Sequence, residues 1–224
     1  ADLSPAAFAI PQRGAPDHVF VYRDRQGAPM WVVTRWDASP DDAVGKHFAP
    51  WYWSDGWVRK APPTPRMPYG LEQLHRTKNI IIVEGEKTCE AARRLFPSSP
   101  VLTWANGAAA VRNTDWSALK GRRVLIWPDA DAPGFAAMNE LAALLTPIVE
   151  SPIRYIDPGA VDTGFDAADL GNMTEAQAHA WAKPRIKVWE PPELRKPIVE
   201  INPPPTPPAC LLYTSPSPRD GLLS

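Results

Sequence analysis

Two kinds of hydrophobic pattern divide the chain. Between residues 18 and 57 polar and apolar positions alternate in short runs. His18-Val19-Phe20-Val21-Tyr22-Arg23 and Pro29-Met30-Trp31-Val32-Val33-Thr34-Arg35-Trp36 flank Asp24-Arg25-Gln26-Gly27. Period-two runs around a Gly-bearing turn predict an antiparallel hairpin. Lys46-His47-Phe48 and Trp51-Tyr52-Trp53-Ser54-Asp55-Gly56-Trp57 predict a further strand and turn in the same small sheet. From residue 79 the pattern changes. Asn79-Ile80-Ile81-Ile82-Val83 and Arg123-Val124-Leu125-Ile126-Trp127 are almost continuously apolar and β-branched, as strands buried on both faces are. Val101-Leu102-Thr103-Trp104 and Pro152 to Asp157 read as two more strands, the latter more exposed.

Helical periods lie between them. Ala91, Ala92, Leu95 and Phe96 recur at helical spacing until Pro97 ends the run. Pro133 is well placed at the start of a helix reaching about Leu145, and Thr174 is a candidate N-cap for a last one. Tyr69 to His75 and Asp115 to Gly121 suit single helical turns. Strand, turn and helix repeated in this way predict an α/β fold: a Rossmann-like parallel sheet of about four strands with helices on both faces, preceded by a small antiparallel β subdomain.

Proline marks the boundaries. The 28 prolines crowd 184–218, with a smaller set at 62–68. The expected organisation is a flexible lead-in at 1–16, a β-rich subdomain at 17–68 and an α/β domain at 69–185. A Pro-rich extended linker at 186–210 and an artefactual or disordered tail at 211–224 follow. The tail contains Leu211-Leu212-Tyr213-Thr214-Ser215-Pro216-Ser217-Pro218-Arg219-Asp220, which resembles translated sequencing-adapter read-through. The chain opens Ala-Asp-Leu, as a piece of a longer protein would.

Composition narrows the function. A hydrophobic content of 44% with ten Trp in 224 residues supplies a core. The formal net charge of −1 gives no global basic field, so any hold on nucleic acid must come from local patches. Cys89 and Cys210 stand far apart in unlike settings, which fits neither a disulfide framework nor a zinc site. No apolar run approaches a membrane span and no signal peptide is visible, so a cytoplasmic protein without membrane partners is expected. The aromatic and basic residues interleaved over 18–57 suit a surface where rings stack bases and cations meet phosphates. The same residues are what the core of a small sheet requires, and strand composition alone accounts for them.

The candidate chemistry lies where apolar strands end in carboxylates. Glu84-Gly85-Glu86-Lys87 follows the first central run, and Asp129-Ala130-Asp131-Ala132-Pro133-Gly134 the third. Ligands of open parallel sheets bind beyond the carboxyl ends of the strands, so Glu84, Asp129 and Asp131 should meet on one edge. Carboxylates gathered without a basic partner repel one another unless a cation sits between them, and Mg²⁺ is the expected cation. Plainer explanations stand beside each: a solvated strand end for Glu84, favourable first-turn helix electrostatics for Glu86, and an acidic turn before a helix N-terminus for Asp131, which accounts poorly for Asp129. Asp166 and Asp169 in Gly164-Phe165-Asp166-Ala167-Ala168-Asp169 either join the acidic edge or cap a helix. Lys87, Arg112, Arg122 and Arg123 are candidate phosphate contacts, with a solvated surface role as the alternative for each.

Val83-Glu84-Gly85-Glu86-Lys87, followed about forty residues later by Asp129-x-Asp131, resembles the toprim domain of bacterial-type primases, topoisomerases and some nucleases. The wording, with Trp127-Pro128-Asp129 and the Asp166/Asp169 segment, is most similar to phage and plasmid primases and primase-helicases, over roughly 79–181. The resemblance implies a DNA primase-type nucleotidyltransferase that makes RNA primers on single-stranded DNA from ribonucleotides. Glu84 would be its acid/base or metal-ligating carboxylate, and Asp129 and Asp131 would hold Mg²⁺ or Mn²⁺. A replicative helicase or ATPase domain would be its partner, in cis or in trans, although no Gly-x-x-x-x-Gly-Lys-Ser/Thr phosphate loop occurs here. Two other outcomes of the same resemblance are a non-catalytic nucleic-acid-binding accessory module and a toprim nuclease. Four residues after Glu84, where bacterial primases place Asp, this chain has Thr88.

Overall fold

The structure is a computed structural model that describes residues 2–38 and 45–192. These belong to a compact unit spanning Ala1–Leu194. Most of the Pro-rich segment, Cys210 and the tail lie outside the described residues.

The first part is a four-stranded antiparallel sheet in the order β1-β2-β3-β4, with β1 His18–Arg23, β2 Pro29–Trp36, β3 His47–Trp53 and β4 Trp57–Val58. The β1–β2 hairpin forms where alternation predicts it. Asp24 closes the turn by accepting the backbone N–H groups of Gln26 and Ala28 at 2.9 Å. β2 is central and its faces diverge. Trp31 and Val33 go into the core shared with the second sheet, while Val32 and Trp36 pack with Phe8, Ala49 and Trp51 beneath the other face.

The second part is a five-stranded sheet, β5 Asn79–Val83, β6 Val101–Leu102, β7 Arg123–Trp127, β8 Glu150–Ile156 and β9 Ile186–Val188, in the order β6-β5-β7-β8-β9. β6, β5, β7 and β8 run parallel. β9 pairs antiparallel with β8, so the expected parallel sheet of about four strands gains an antiparallel edge. β9 is three exposed residues long, too short for any period to announce it.

The apolar runs of β5 and β7 are buried because helices cover both faces. Ile81, Val83 and Trp127 face α1 (Glu86–Leu95) and α3 (Glu175–Ala182), through Cys89, Ala92, Leu95, Ala178 and Ala182. Ile80, Ile82, Val124 and Ile126 face α2 (Ala132–Leu145), through Ala137, Met138, Leu141 and Leu145. Each such Ile or Val contributes roughly 1.5–3 kcal/mol by leaving water. Phe20, Tyr22, Trp31 and Val33 of the antiparallel sheet complete the α1-side core. This packing brings an end of that sheet over the start of α1, where β5 releases its first carboxylate.

Candidate active site

β5 and β7 run side by side in register, Val83 opposite Trp127, so the residues leaving both strands emerge at one edge. Glu84 follows β5. Gly85 then turns the chain at φ +79°, a conformation other residues adopt at a cost, and α1 begins. Asp129 follows β7 after Pro128. Asp131 caps α2, its Oδ1 accepting the Gly134 N–H at 2.7 Å. Gly134 is buried against this loop. A Cβ there would stand 2.5 Å from the Asp129 carbonyl oxygen, so glycine is what lets the helix approach the acidic turn.

Asp129 is the centre of the arrangement. Its Oδ1 is buried and has no hydrogen-bond partner. Burial, then the charges of Glu84, Asp166, Asp131 and Asp169, push its carboxyl up to about 8. Glu84 is also raised, first by burial and then by Asp131, against a hydrogen bond from the Ala108 backbone. Asp166 Oδ1 accepts the Ala168 N–H at 2.5 Å in a capping box with Asp169, whose Oδ2 accepts the Asp166 N–H at 2.8 Å. Asp166 Oδ2 accepts the hydroxyl of buried Thr88 at 2.8 Å. Capping and proximity to the acidic edge therefore coexist for Asp166 and Asp169.

A cleft of about 590 Å³ opens over this edge. Glu84, Asp129 and Asp166 line it from the parallel sheet, and Arg35, Lys46 and Phe48 from the antiparallel one. Lys87 lines it too, 49% exposed, with its Nζ 3.8 Å from Asp37. Asp131 is turned into its cap rather than into the cleft. The other predicted cations lie elsewhere. Arg122 Nη1 donates to the carbonyls of Leu74 and Thr77 at 2.7 and 2.8 Å, and so braces the turn before β5. Arg123 starts β7, at the end of the strand away from Asp129. It pairs with Glu150 at 2.7 Å beside a separate cavity of about 330 Å³ that also touches Asn79 and Phe96. Arg112 pairs with Glu140 on α2. Arg35, Lys46 and Phe48 belong to the interleaved aromatic and basic run of 18–57, but only the packing of the two sheets brings these three to the carboxylates.

The donor set suits a hard divalent cation in one respect: Asp129 holds an unpartnered buried oxygen among like charges, which a cation would satisfy. Among the described residues no three Asp, Glu, His or Cys side chains already stand as a ready ligand set. An ion that keeps most of its waters needs only one or two direct carboxylates, so the two observations are compatible.

Comparison with known proteins places the fold. A family model described as Wadjet protein JetD, C-terminal, matches residues 58–153, under half of the chain and including Glu84, Asp129 and Asp131. No curated protein matches the sequence. A DNA primase domain from Pseudomonas aeruginosa is similar at 16% identity and a TM-score of 0.51, over 76% of this chain and 51% of that one. The DnaG catalytic core is similar at 16% identity and a TM-score of 0.51, over 82% and 58%. A structure of bacteriophage T7 lagging-strand DNA polymerase interacting with primase domains of two gp4 subunits matches at 15% identity and a TM-score of 0.50, over 76% and 78%. The chain has a primase-like fold. It spans between half and four fifths of these relatives. Among the described residues no helix is long and apolar enough to cross a membrane.

Proposed function

We propose that this chain carries a toprim-type nucleotidyl-transfer centre of the DNA primase kind, using Mg²⁺ or Mn²⁺, a single-stranded DNA template and ribonucleotides. The observation that carries the reading is the buried, unpartnered carboxyl oxygen of Asp129 among the charges of Glu84, Asp131, Asp166 and Asp169. Asp129 and Glu84 would hold the cation, with Asp131 and Asp166 adding charge through water. When bound, the ion lowers the pKa of an attacking hydroxyl and neutralises phosphate charge. In its alternative role, off the ion, the Glu84 carboxylate, raised by burial, would accept the proton of a primer 3′ hydroxyl as that oxygen bonds to the α-phosphorus of an incoming triphosphate and pyrophosphate leaves. Lys87 and Lys46 would meet phosphates, and Thr88 keeps Asp166 oriented. The T7 assembly contains an RNA/DNA hybrid and dTTP together with primase domains, which fits a nucleic-acid setting for this fold. A replicative helicase partner and a cytoplasmic setting go with the reading.

One observation favours a second reading. The family model that matches the acidic core is not a primase family. Carboxylates that position a hydroxyl for transfer position water equally well, so phosphodiester hydrolysis is the alternative. The test is incubation of the chain with single-stranded DNA, ribonucleotides and Mg²⁺ or Mn²⁺, with labelled RNA and DNA nicking followed together. Short RNA from the wild type and none from Glu84→Gln is the expected result. Equal synthesis by Glu84→Gln, or nicking without synthesis, overturns the primase reading.

A further inference from the structure

The aromatic residues of the antiparallel sheet divide into two groups once the register is known. Opposed residues share a face, and the face turned toward α1 carries three cross-strand rows: Tyr22, Trp31 and Tyr52; Phe20, Val33 and Pro50; His18, Arg35 and Phe48. Tyr22, Trp31, Phe20 and Val33 are core. The third row runs out to the cleft. Phe48 there is 47% exposed, although Trp51, three residues on, is buried under the opposite face.

Phe48 is backed rather than stray. Arg35 Cζ lies over the ring, 5.5 Å from its centroid. Arg35 is held in turn: its Nε donates to Asp37 Oδ1 at 2.7 Å, leaving the side chain 11% exposed. Asp37 also receives His18 Nε2 at 3.1 Å. The ring is thus fixed from behind by a clamped guanidinium. Exposed Lys46 and Lys87 line the same cleft. Aromatic surface next to cations is how proteins hold single strands and nucleotides, because every base has a π-face and every linkage a phosphate.

We propose that Phe48 is a base-stacking platform, with a nucleobase on its free face and Lys46 and Lys87 on the flanking phosphates. The inference rests on the proposed function only in taking the ligand to be a nucleotide; it requires neither metal nor catalysis. The base could belong to a template strand or to an incoming nucleotide, and the two are separable by experiment.

Affinity of the full chain for a labelled oligo-dT and for ATP is measured in EDTA by anisotropy and calorimetry. Phe48→Ala is expected to weaken the ligand that supplies the base about 5- to 100-fold, the range set by one lost stack. A loss confined to oligo-dT assigns the template, and one confined to ATP assigns the incoming nucleotide. Phe48→Tyr keeps the π-face and should stay within about twofold of wild type, whereas Phe48→Leu keeps apolar bulk without it and should behave like Phe48→Ala. Phe48 is exposed, so thermal melts of the variants should match wild type. Wild-type binding of neither ligand, or Phe48→Ala and Phe48→Leu both within twofold for both, overturns the proposal. The assay contains no metal and follows no turnover, so failure of the catalytic reading leaves this one standing.

Discussion

Tyr22 donates a 2.6 Å hydrogen bond to Glu86, joining β1 of the antiparallel sheet to the first residue of α1. Both groups are buried, Glu86 to 6% exposure. Burial and the adjacent carboxylate push the Tyr22 hydroxyl well above its usual range, so it stays a donor. Burial raises Glu86, against the hydrogen bond that favours its charged form. Glu86 lies two residues after Glu84, so this bond ties the cation-bearing sheet to the turn that carries the first carboxylate.

Tyr22→Phe should therefore destabilise the protein by about 1–3 kcal/mol at pH 7, since it strands a buried carboxylate without its donor. Urea melts measure this. The deficit should shrink as pH falls toward the ordinary Glu range, where the stranded carboxyl takes up a proton. A Tyr22→Phe melt that superimposes on wild type at pH 7 would show that the bond contributes nothing.

The Asp129 carboxyl, pushed to about 8, gives a pH dependence of definite sign. Its folded-state value lies above the unfolded one, so the folded state holds the proton more tightly. The stabilisation is fully present below the ordinary Asp value, about 4, and is lost as pH rises toward 8. In chelator, Tm should fall across that window beyond what Asp129→Asn shows. Millimolar Mg²⁺ or Mn²⁺ should recover much of the loss in wild type and little of it in Asp129→Asn. Parallel pH profiles for the two proteins, with or without cation, would count against Asp129 as the charged centre.

Gly134→Ala sets helix propensity against geometry. Alanine favours a helix interior by about 1 kcal/mol over glycine. Its Cβ, however, would meet the Asp129 carbonyl oxygen at 2.5 Å and the Asp129 Cβ at 3.0 Å, and backbone must move. The expected result is a folded protein whose gain of stability with Mn²⁺ is cut at least severalfold, because the Asp129 turn is displaced. Mn²⁺ titrations followed by thermal shift check this. An unaltered cation response would mean that the turn is free to give way.

The central strands were legible because burial on both faces writes itself as uninterrupted Ile, Val and Leu. Ile80 to Val83 and Val124 to Trp127 need no tertiary information to be recognised. The Thr174 cap was legible for a local reason: its capping box with Gln177 involves neighbours only. β9 was not, since its three exposed residues are held by pairing with β8 and not by their own pattern. The site divides in the same way. Glu84 and Asp129 stand at strand ends visible in the sequence. Arg35, Lys46 and Phe48 reach the cleft only through the β1–β2–β3 register and the seating of that sheet on α1. Arg122 and Arg123 show the converse: adjacent cations invite a phosphate reading, yet the strand sends them to the far end of the sheet.

Thr88 offers the most discriminating change at the acidic edge. Its hydroxyl donates to Asp166 Oδ2 at 2.8 Å from a buried position on α1. Bacterial primases, which the motifs resemble, carry Asp there. Thr88→Asp exchanges a donor for a like charge beside Asp166, in a site where Glu84, Asp129, Asp131 and Asp169 are already crowded. Without a cation the variant should lose roughly 1–3 kcal/mol, from the lost hydrogen bond and the added repulsion. With Mn²⁺ it should recover more than wild type gains, because one more carboxylate becomes available to the ion. Thr88→Val removes the hydroxyl without adding charge. It should lose comparable stability and gain nothing extra from Mn²⁺. The two variants separate charge from hydrogen bonding: equal responses to Mn²⁺ would mean that position 88 acts only by orienting Asp166, and that no cation is held between α1 and the Asp129 turn.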